Sequence, residues 1–320
     1  MATDAATDAA PAQALDALFR AERRALWGLA YRLTGTAEDA DDVVQEAFAR
    51  LVAGPPALPT AALGRWLARV ATNLAIDALR RRRRRAYAGP WLPGPVEGEG
   101  ADDPAGLPDP APGAELRYGA AESATYAFLV ALEALTPRQR AALLLRDVLG
   151  HSARETADVL GTSEGGARIL HLRARRALAA YDAARCVPTP ELRARHREAL
   201  ENLLARLLAR DAAGVEALLA ESVRTVTDAA GEFTALATPL EGRTRVARFY
   251  LAAAQHREAG GVRAEIRTVN GLPAALVTLA RPVRRQAPRT LLRCELDGSG
   301  RIQLVQAILA PRKLAALRPA

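Results

Sequence analysis

The fold of this chain is decided by residues 135–181, which read LTPRQRAALLLRDVLGHSARETADVLGTSEGGARILHLRARRALAAY. Two capping boxes lie within them, at residues 136–139 (TPRQ) and 152–155 (SARE), each with a hydroxyl residue at the N-cap and Gln or Glu three positions later. Each box predicts the start of a helix, and the proline of the first box stands at the first helical position, which it favours. The second helix is short, because Gly161 suits the left-handed turn that ends a helix.

A third helix begins at Thr162 or Ser163, runs to about Ala180 and is rich in arginine. Two helices joined by a tight glycine turn, the second with arginines, predict a DNA-binding helix-turn-helix. An ordinary helical hairpin with a solvated arginine face is the alternative. In a recognition helix the first residues meet base edges, whereas later arginines reach phosphates. The base-edge candidates are Ser163, Glu164, Gly165, Ala167 and Arg168, and the phosphate candidates are Arg173, Arg175 and Arg176.

An N-terminal block, over residues 14–87, is also predicted to be helical. Its first helix is predicted near residues 15–33, and a second, acidic helix near residues 37–48 follows the N-cap Thr36. Carboxylates in the first turn suit the positive end of the helix dipole. A docking surface for a basic partner is the other interpretation of these acids, and the residues alone leave both open.

The third helix of this block, predicted near residues 63–80, has two faces. Leu63, Leu67 and Leu74 recur at helical spacing and indicate a core face. Trp66 alone is more typical of a core residue than of a stacking platform. Arginines and an amide on the other face suit an unpaired nucleic-acid strand, although the six-arginine run that follows also fits a solvated tail. The polar face carries Arg65, Arg69, Asn73, Asp77 and Arg80.

The order of these motifs resembles the extracytoplasmic-function sigma factors. An acidic helix, the stretch RWLARVATNLAIDALRRRRRR at residues 65–85, a linker and the helix-turn-helix follow one another as region 2 and region 4 do in that family. The resemblance covers about residues 14–181. It implies a protein that binds core RNA polymerase, through the β′ clamp helices and the β flap, and promoter DNA. Many members carry an arginine where this chain has Leu170.

The resemblance also implies roles for particular residues. The helix that begins at Ser163 would read the −35 element, and the loop and helix of residues 59–80 would capture the melted −10 element. The implied polymerase-binding residues are Asp39, Asp42, Val43, Gln45 and Glu46, and the implied −10 contacts are Arg65, Trp66, Arg69, Asn73, Asp77 and Arg80.

Beyond the helix-turn-helix, the sequence predicts a linker and a further domain. Residues 88–118 are rich in Pro, Gly and acids, which is typical of a linker. Trp91 and Leu92 stand out there, because exposed apolar side chains predict docking on a neighbouring domain. Helices followed by a curved antiparallel sheet are then expected, which predicts an α+β cone. The helices are expected at 191–209, 214–220 and 244–255, and the strands at 223–227, 232–237, 262–269, 274–279, 290–296 and 301–309, with a hairpin turn at 297–300.

This last part resembles the SnoaL-like domains of the nuclear transport factor 2 superfamily. The fusion resembles a sigma-factor subgroup with the motifs WLPEP, DGGGK and NPDKL, for which this chain has WLPGP (91–95), DAAGE (228–232) and APRKL (310–314). In that subgroup the extra domain is regarded as a built-in regulator. The interdomain regulatory residues implied are Trp91, Leu92, Pro93, Asp228, Gly231, Pro311, Lys313 and Leu314.

The predicted architecture is therefore multidomain, with two all-α domains and a C-terminal α+β cone. The predicted divisions are a region 2 bundle at 14–87, the linker at 88–118, a region 4 helix-turn-helix at 119–185 and a SnoaL-like domain at 188–316. A one-component, ligand-sensing DNA-binding regulator that acts without polymerase is the alternative function. Residual polyketide-cyclase-like activity in the C-terminal domain is another.

Catalysis is not expected, because no base, orienting group and oxyanion donor can be placed together from spacing. Asp228, Glu232 and His256 are the acid–base candidates, but the two acids flank a glycine-containing turn, where acids are ordinarily solvated. A ligand-sensing pocket is favoured instead, since such cones enclose apolar cavities.

Composition qualifies this interpretation. The net charge is +8, but residues 1–185 hold 23 basic and 23 acidic side chains, whereas residues 186–320 hold 21 and 13. The basic excess thus lies in the extra domain, and local segregation of charge marks the first part. Cys186 and Cys294 are isolated and the histidines are not clustered, so neither a metal site nor a cofactor is predicted. With no signal-peptide features and no membrane-spanning apolar run, a cytoplasmic protein is expected.

Overall fold

The computed structural model describes residues 4–54, 56–85, 87–98, 116–258 and 261–319. The chain divides into two compact units. The N-terminal unit holds the described residues up to Arg84 and from 116 to Arg185, and the C-terminal unit holds those from Arg85 to 98 and from Cys186 onward. Residues 99–115 of the predicted linker lie outside the described residues.

The described part of the N-terminal unit consists of helices and short connections. A 3-10 turn (Leu132–Ala134) and a π-helical turn (Leu144–Val148) flank α6. The helices are α1 (Asp4–Thr34), α2 (Ala37–Ala53), α3 (Thr60–Arg84), α4 (Ala120–Ser123), α5 (Tyr126–Ala131), α6 (Pro137–Leu143), α7 (Ala153–Leu160), α8 (Glu164–Ala177) and α9 (Ala179–Ala183).

The predicted helix-turn-helix and its capping boxes are confirmed. Each box makes both of its hydrogen bonds. The N-cap hydroxyl accepts from the backbone amide of the third helical residue, and the side chain of that residue accepts from the backbone amide of the N-cap. Gly161 lies in the left-handed region at φ 57°, where a side chain is disfavoured. Ser163 is the N-cap of α8, since its hydroxyl accepts from the Gly166 amide. α8 ends at Ala177, a little earlier than expected.

Two buried arginines join the helices before the linker to those after it. Both side chains are 1% exposed, and each guanidinium donates to backbone carbonyls. Arg32 donates to the Ser123 hydroxyl and the Ala120 carbonyl, at 2.9 Å each. Arg140 donates to the Leu33 carbonyl at 2.9 Å, and it also pairs with Glu133 at 2.7 Å. The two helical bundles thus form one unit.

The C-terminal unit is a layer of helices packed on a six-stranded sheet with the order β2-β1-β6-β5-β4-β3. Its core is built from α10, α11, α12 and the sheet. The helices are α10 (Pro190–Leu208), α11 (Ala212–Leu218), α12 (Arg243–Glu258) and α13 (Pro311–Leu314). The strands are β1 (Leu219–Asp228), β2 (Leu240–Glu241), β3 (Val262–Val269), β4 (Leu272–Leu279), β5 (Arg289–Leu296) and β6 (Ile302–Ile308).

The predicted α+β architecture is confirmed, with two corrections. The pairing of β1 with β6 is parallel, so the sheet is mixed rather than antiparallel throughout. Residues 232–237 form turns and bends instead of the predicted strand. The reason is local: Ala230 and Gly231 have positive φ, and the Leu236 amide donates to the Thr227 hydroxyl instead of to a neighbouring strand.

Candidate functional site

The first residues of α8 present most of the predicted base-edge groups to solvent. Ser163, Glu164, Gly165 and Arg168 are exposed. Ala167 is 0% exposed, because it lies on the side of α8 that packs into the helical core, and the prediction that it reads bases is corrected. The Arg168 guanidinium is paired with Glu164 one turn earlier, so the two side chains form a single polar group on the surface.

Farther along α8 the arginines differ in their surroundings. Arg173 and Arg176 are exposed. Arg175 is half-buried and lies 3.9 Å from the Asp147 carboxylate, which also contacts His171 at 2.8 Å. The predicted phosphate set therefore contains two freely exposed guanidinium groups and one that is partly engaged within the domain.

Sequence reasoning missed an apolar pair on the same helix. Ile169 and Leu172 are about half exposed, three residues apart on one face of α8. The sequence offered one sign of this exposure. Ala167 and Ala174, the buried residues of α8, are seven positions apart on one face of the helix, and neither Ile169 nor Leu172 falls on that face. The face of α8 that meets solvent therefore combines cations with apolar groups.

The polar face of α3 is arranged as predicted, and one member makes a contact that the sequence did not indicate. Arg65, Arg69 and Arg80 are exposed, whereas Trp66 is half-buried. The remaining two are exposed but engaged: Asp77 pairs with Arg80 at 3.0 Å, and the Asn73 amide donates to the Val159 carbonyl of α7 at 3.3 Å. Within the N-terminal unit, α3 therefore lies against the first helix of the helix-turn-helix.

The acidic helix α2 offers a smaller surface than predicted. Asp42, Gln45 and Glu46 are exposed, and Glu46 pairs with Arg50 at 2.8 Å. Asp39 is half-buried beside the Thr36 cap, whose hydroxyl donates to it at 2.7 Å. Val43 is only 4% exposed, because it lies on the apolar side of the helix, and its place on a docking surface is corrected.

In the C-terminal unit the linker residues Tyr87 to Leu92 meet a buried ion pair. Asp228 is 0% exposed, and its carboxylate pairs with the Lys313 ammonium at 2.5 Å. It also accepts from the Tyr87 hydroxyl at 2.6 Å and from the Leu92 amide at 2.7 Å. The expectation that Asp228 is a solvated turn residue was wrong, because three partners distant in sequence enclose it, whereas Glu232 is exposed.

Aromatic rings complete the enclosure of Lys313. The ammonium lies 4.2 Å from the centre of the Trp91 ring and 4.8 Å from that of Tyr87, and it also donates to the Leu92 carbonyl. A buried ammonium between two ring faces gains cation–π attraction. Trp91 is half-buried and Leu92 buried, so the predicted docking of this pair is seen within the C-terminal unit.

The other members of the predicted regulatory set lie around this ion pair. Pro93 and Leu314 are buried, while Pro311 is exposed at the first position of α13. Gly231 has φ 78°, and a Cβ there would lie 2.9 Å from the Ala88 side chain. Glycine is therefore needed for the close approach of the linker.

Sequence reasoning missed the second half of the linker contact. Val96 and Asn270 exchange two hydrogen bonds, one between backbone groups at 2.9 Å and one to the Asn270 side-chain oxygen at 3.2 Å. Glu97 pairs with Arg267 at 2.6 Å and forms a β-bridge with Val269. The pair Asn270-Gly271, two residue types that tolerate the positive φ found at both positions, was the available sequence signal for the turn, but not for its partner.

Comparison with known proteins identifies the family of this chain. The models of sigma-70 region 2 and of sigma-70 region 4 match residues 18–85 and 126–178. The ECF RNA polymerase sigma factor SigJ of Mycobacterium tuberculosis is 38% identical over 247 residues, which are 74% of this chain and 72% of that protein. The chain belongs to the extracytoplasmic-function sigma factors. A second relative, SigG of the same organism, is 40% identical over 176 residues, covering 48% of this chain and 44% of SigG.

The likeness of this sigma factor to a solved relative extends into the C-terminal unit. The crystal structure of the Mycobacterium tuberculosis factor SigJ covers 94% of this chain and 98% of its own, with 30% identity and a TM-score of 0.70. The sequence prediction of the family is confirmed. No helix in the part of this sigma factor that the structure describes is long and apolar enough to cross a membrane.

Proposed function

We propose that this sigma factor binds core RNA polymerase through α2, holds the −10 element with α3 and reads the −35 element with α8. In this proposal residues 14–87 and 119–185 act as region 2 and region 4, the latter also touching the β flap. Residues 188–316 regulate them through the linker, 88–118. The single observation that carries the proposal is the exposed acidic and amide surface of Asp42, Gln45 and Glu46.

Charge and exposure support the assignment of α2. Its outer face carries carboxylates and an amide, while its inner face is packed against α1 and α3. Exposed charges of one sign steer a partner of opposite sign and select its orientation. A basic helical partner, such as the β′ clamp helices, fits this surface.

The two promoter readers have different chemistry. Arg65, Arg69 and Asn73 on α3 offer cations and an amide to an unpaired strand. Ser163, Gly165 and Arg168 lie at the start of α8, where a recognition helix meets base edges. Arg173 and Arg176 follow as phosphate contacts.

Binding of both elements requires the N-terminal unit to open. Asn73 contacts α7 at 3.3 Å, whereas the −10 and −35 elements are separate stretches of the promoter, and every base pair between them adds about 3.4 Å. The contact between α3 and α7 cannot persist when each reader occupies its own element. The residues that join the two readers then limit how far they separate.

Regulation in this proposal acts on that joining segment. Linker residues that are bound to the C-terminal unit no longer add to the distance that the two promoter readers can separate. When the rest of the linker cannot span the two elements, the effective concentration of the second reader at its element falls. The Asp228–Lys313 pair holds the segment at Leu92, and Asn270 holds it again at Val96. Release of this segment would lengthen the available span. We propose regulation by contact, without a catalytic step, and a small-ligand site in the cavity of the C-terminal unit.

Run-off transcription with core polymerase tests the polymerase assignment. The full chain with Asp42→Lys and Glu46→Lys is compared with the parent, using co-elution with core enzyme as a second readout. We expect at least a tenfold loss of both, because two attractive charges become repulsive. Glu198→Lys with Glu201→Lys, an exposed acid pair on α10, is the matched control and should retain both. Equal loss in the control, or none in the α2 variant, contradicts the proposal.

A further inference from the structure

The C-terminal unit contains a cavity between its helices and the sheet. Its volume is about 710 Å³, within the range of small-molecule sites. The wall is mainly apolar and includes Leu207, Phe249, Val277 and Leu292. The Asp228–Lys313 pair and the linker residues do not line it. The cavity is thus separate from the linker contact.

The ionisable groups that line this cavity are basic groups and a tyrosine. Among the described residues that line it there is no carboxylate, whereas four side chains can carry positive charge. Tyr250 donates to or accepts from Thr225 at 2.6 Å, so its hydroxyl is already engaged. The basic set is His256, Arg257, Arg284 and Arg285.

Arg257 is the basic group that reaches inward. Its guanidinium donates to the Thr290 hydroxyl at 3.1 Å, and in the part of the chain that the structure describes no carboxylate forms an ion pair with it. Burial lowers the pKa of Arg257, yet a guanidinium stays protonated at neutral pH. A half-buried cation without a counter-charge is costly in apolar surroundings. A ligand anion would supply that counter-charge.

The rim of the cavity is apolar and open to solvent. Leu208, Val262 and Val283 line it, and all three are exposed. They come from α10, β3 and the loop before β5, and a ligand at the mouth of the cavity would contact all three. An apolar ligand body that fills the cavity and touches the rim would remove this surface from water.

We infer that the cavity binds an amphipathic monocarboxylate, with its apolar body against Phe249 and Leu292 and its carboxylate on Arg257. One inward guanidinium balances one negative charge, and its planar fork matches the two oxygens of a carboxylate. The inference rests on the proposed function in one respect, that the cavity is a ligand site. It is independent of how the sigma domains meet polymerase.

Calorimetric titration of the full chain with dodecanoate tests the inference, below the concentration at which the probe forms micelles. Dodecanol and dodecyltrimethylammonium carry the same chain with a neutral and a cationic head group. We expect saturable binding of dodecanoate, at least tenfold weaker binding of dodecanol and no binding of the cation. Equal affinity for the acid and the alcohol overturns the anion assignment, and failure of all three probes to bind overturns the ligand site itself.

Variants then locate the carboxylate. Arg257→Gln should lower the affinity for dodecanoate at least tenfold and leave that for dodecanol unchanged. Arg243→Gln is the matched control, because Arg243 lies on the same helix, pairs with Glu221 at 3.2 Å and does not line the cavity. Unchanged dodecanoate binding by Arg257→Gln overturns the inference. Circular dichroism checks that each variant folds, and if Arg257→Gln does not, the comparison of acid with alcohol on the parent chain decides alone. Transcription is not needed, so failure here is distinct from failure of the polymerase assignment.

Discussion

The two units each bury charge where distant segments meet, but they do so differently. In the N-terminal unit, Arg140 donates mostly to neutral carbonyls, and its one carboxylate partner, Glu133, is partly exposed and shared with Arg82. In the C-terminal unit, Asp228 and Lys313 are both buried and face each other. Neutral partners are readily replaced by water, whereas a buried pair resists separation because each charge would lose its counter-charge. Under the proposed function, this difference predicts that the first junction opens more readily than the second.

The largest effect is expected from Lys313→Met in the C-terminal unit. The change leaves the Asp228 carboxylate buried without its counter-charge, and loss of one partner of such a pair costs about 3–5 kcal/mol. Hydrogen exchange of β6 peptides in increasing urea measures the free energy of unfolding of this unit. Arg312→Met, the exposed neighbour, is the control and should change it by less than about 0.5 kcal/mol. A loss of about 2 kcal/mol or less in Lys313→Met, no larger than that expected for Arg140→Met, would contradict the stronger hold of this junction.

Acid should affect the C-terminal unit next. Burial is the main cause that lowers the pKa of His196 from 6.5 to about 4, so the unfolded chain takes up a proton in this window while the folded chain does not. Stability is therefore present above pH 6.5 and is lost as the pH falls toward 4, by at most about 3 kcal/mol. His196→Leu should reduce this loss, which urea unfolding at pH 7 and pH 4.5 measures. A dependence of stability on pH in His196→Leu equal to that of the parent would sink the prediction.

A smaller loss is expected from Arg140→Met in the N-terminal unit. The change removes a buried donor from the Leu33 and Leu132 carbonyls, while Glu133 keeps its contact with Arg82. Unsatisfied buried acceptors cost about 1–3 kcal/mol, so we expect the free energy of unfolding of this unit to fall by about 2 kcal/mol. Hydrogen exchange of the α1 and α6 peptides in increasing urea measures it. Arg81→Met, on an exposed arginine of α3, is the matched control. A cost equal to that of Lys313→Met would remove the difference between the junctions.

The smallest change in stability, about 1 kcal/mol, is expected from Trp91→Ala. The variant loses the ring that lies 4.2 Å from the Lys313 ammonium but keeps the ion pair. The Leu92 and Val96 amides should exchange faster with deuterium, while those of β5 keep their protection. Run-off transcription should change together with this exchange. Unaltered exchange at both amides would mean that the ring does not hold the linker.

Local signals predicted the helices, and distant partners explain the errors. The capping boxes at residues 136–139 and 152–155 set helix starts correctly because their chemistry is confined to one turn. Asp228 was misjudged because its partners, Tyr87 and Lys313, lie far away in sequence. The family and its order of motifs were predicted because both regions carry dense local patterns. The grouping of basic side chains around the cavity was not predictable, since it joins residues of several elements.

Val43 and Ala167 show a second kind of error. Each stands beside an exposed candidate, Asp42 or Arg168, and candidates close together in the sequence were chosen as a set. Helical geometry places adjacent residues on different sides, so one member of such a run turns to the core. Exposure had to be decided residue by residue.

Asp228 also binds the residues that follow β6. Its backbone carbonyl accepts from the Leu309 and Ala310 amides, at 2.7 and 3.1 Å, while its side chain holds the linker and Lys313. One residue thus fastens three segments that are far apart in the chain. A chimera that exchanges only one of the linker, the 228–232 turn or the 310–314 tail with a relative would pair unmatched surfaces. A chimera that keeps the contacts of Asp228 should therefore exchange all three segments together.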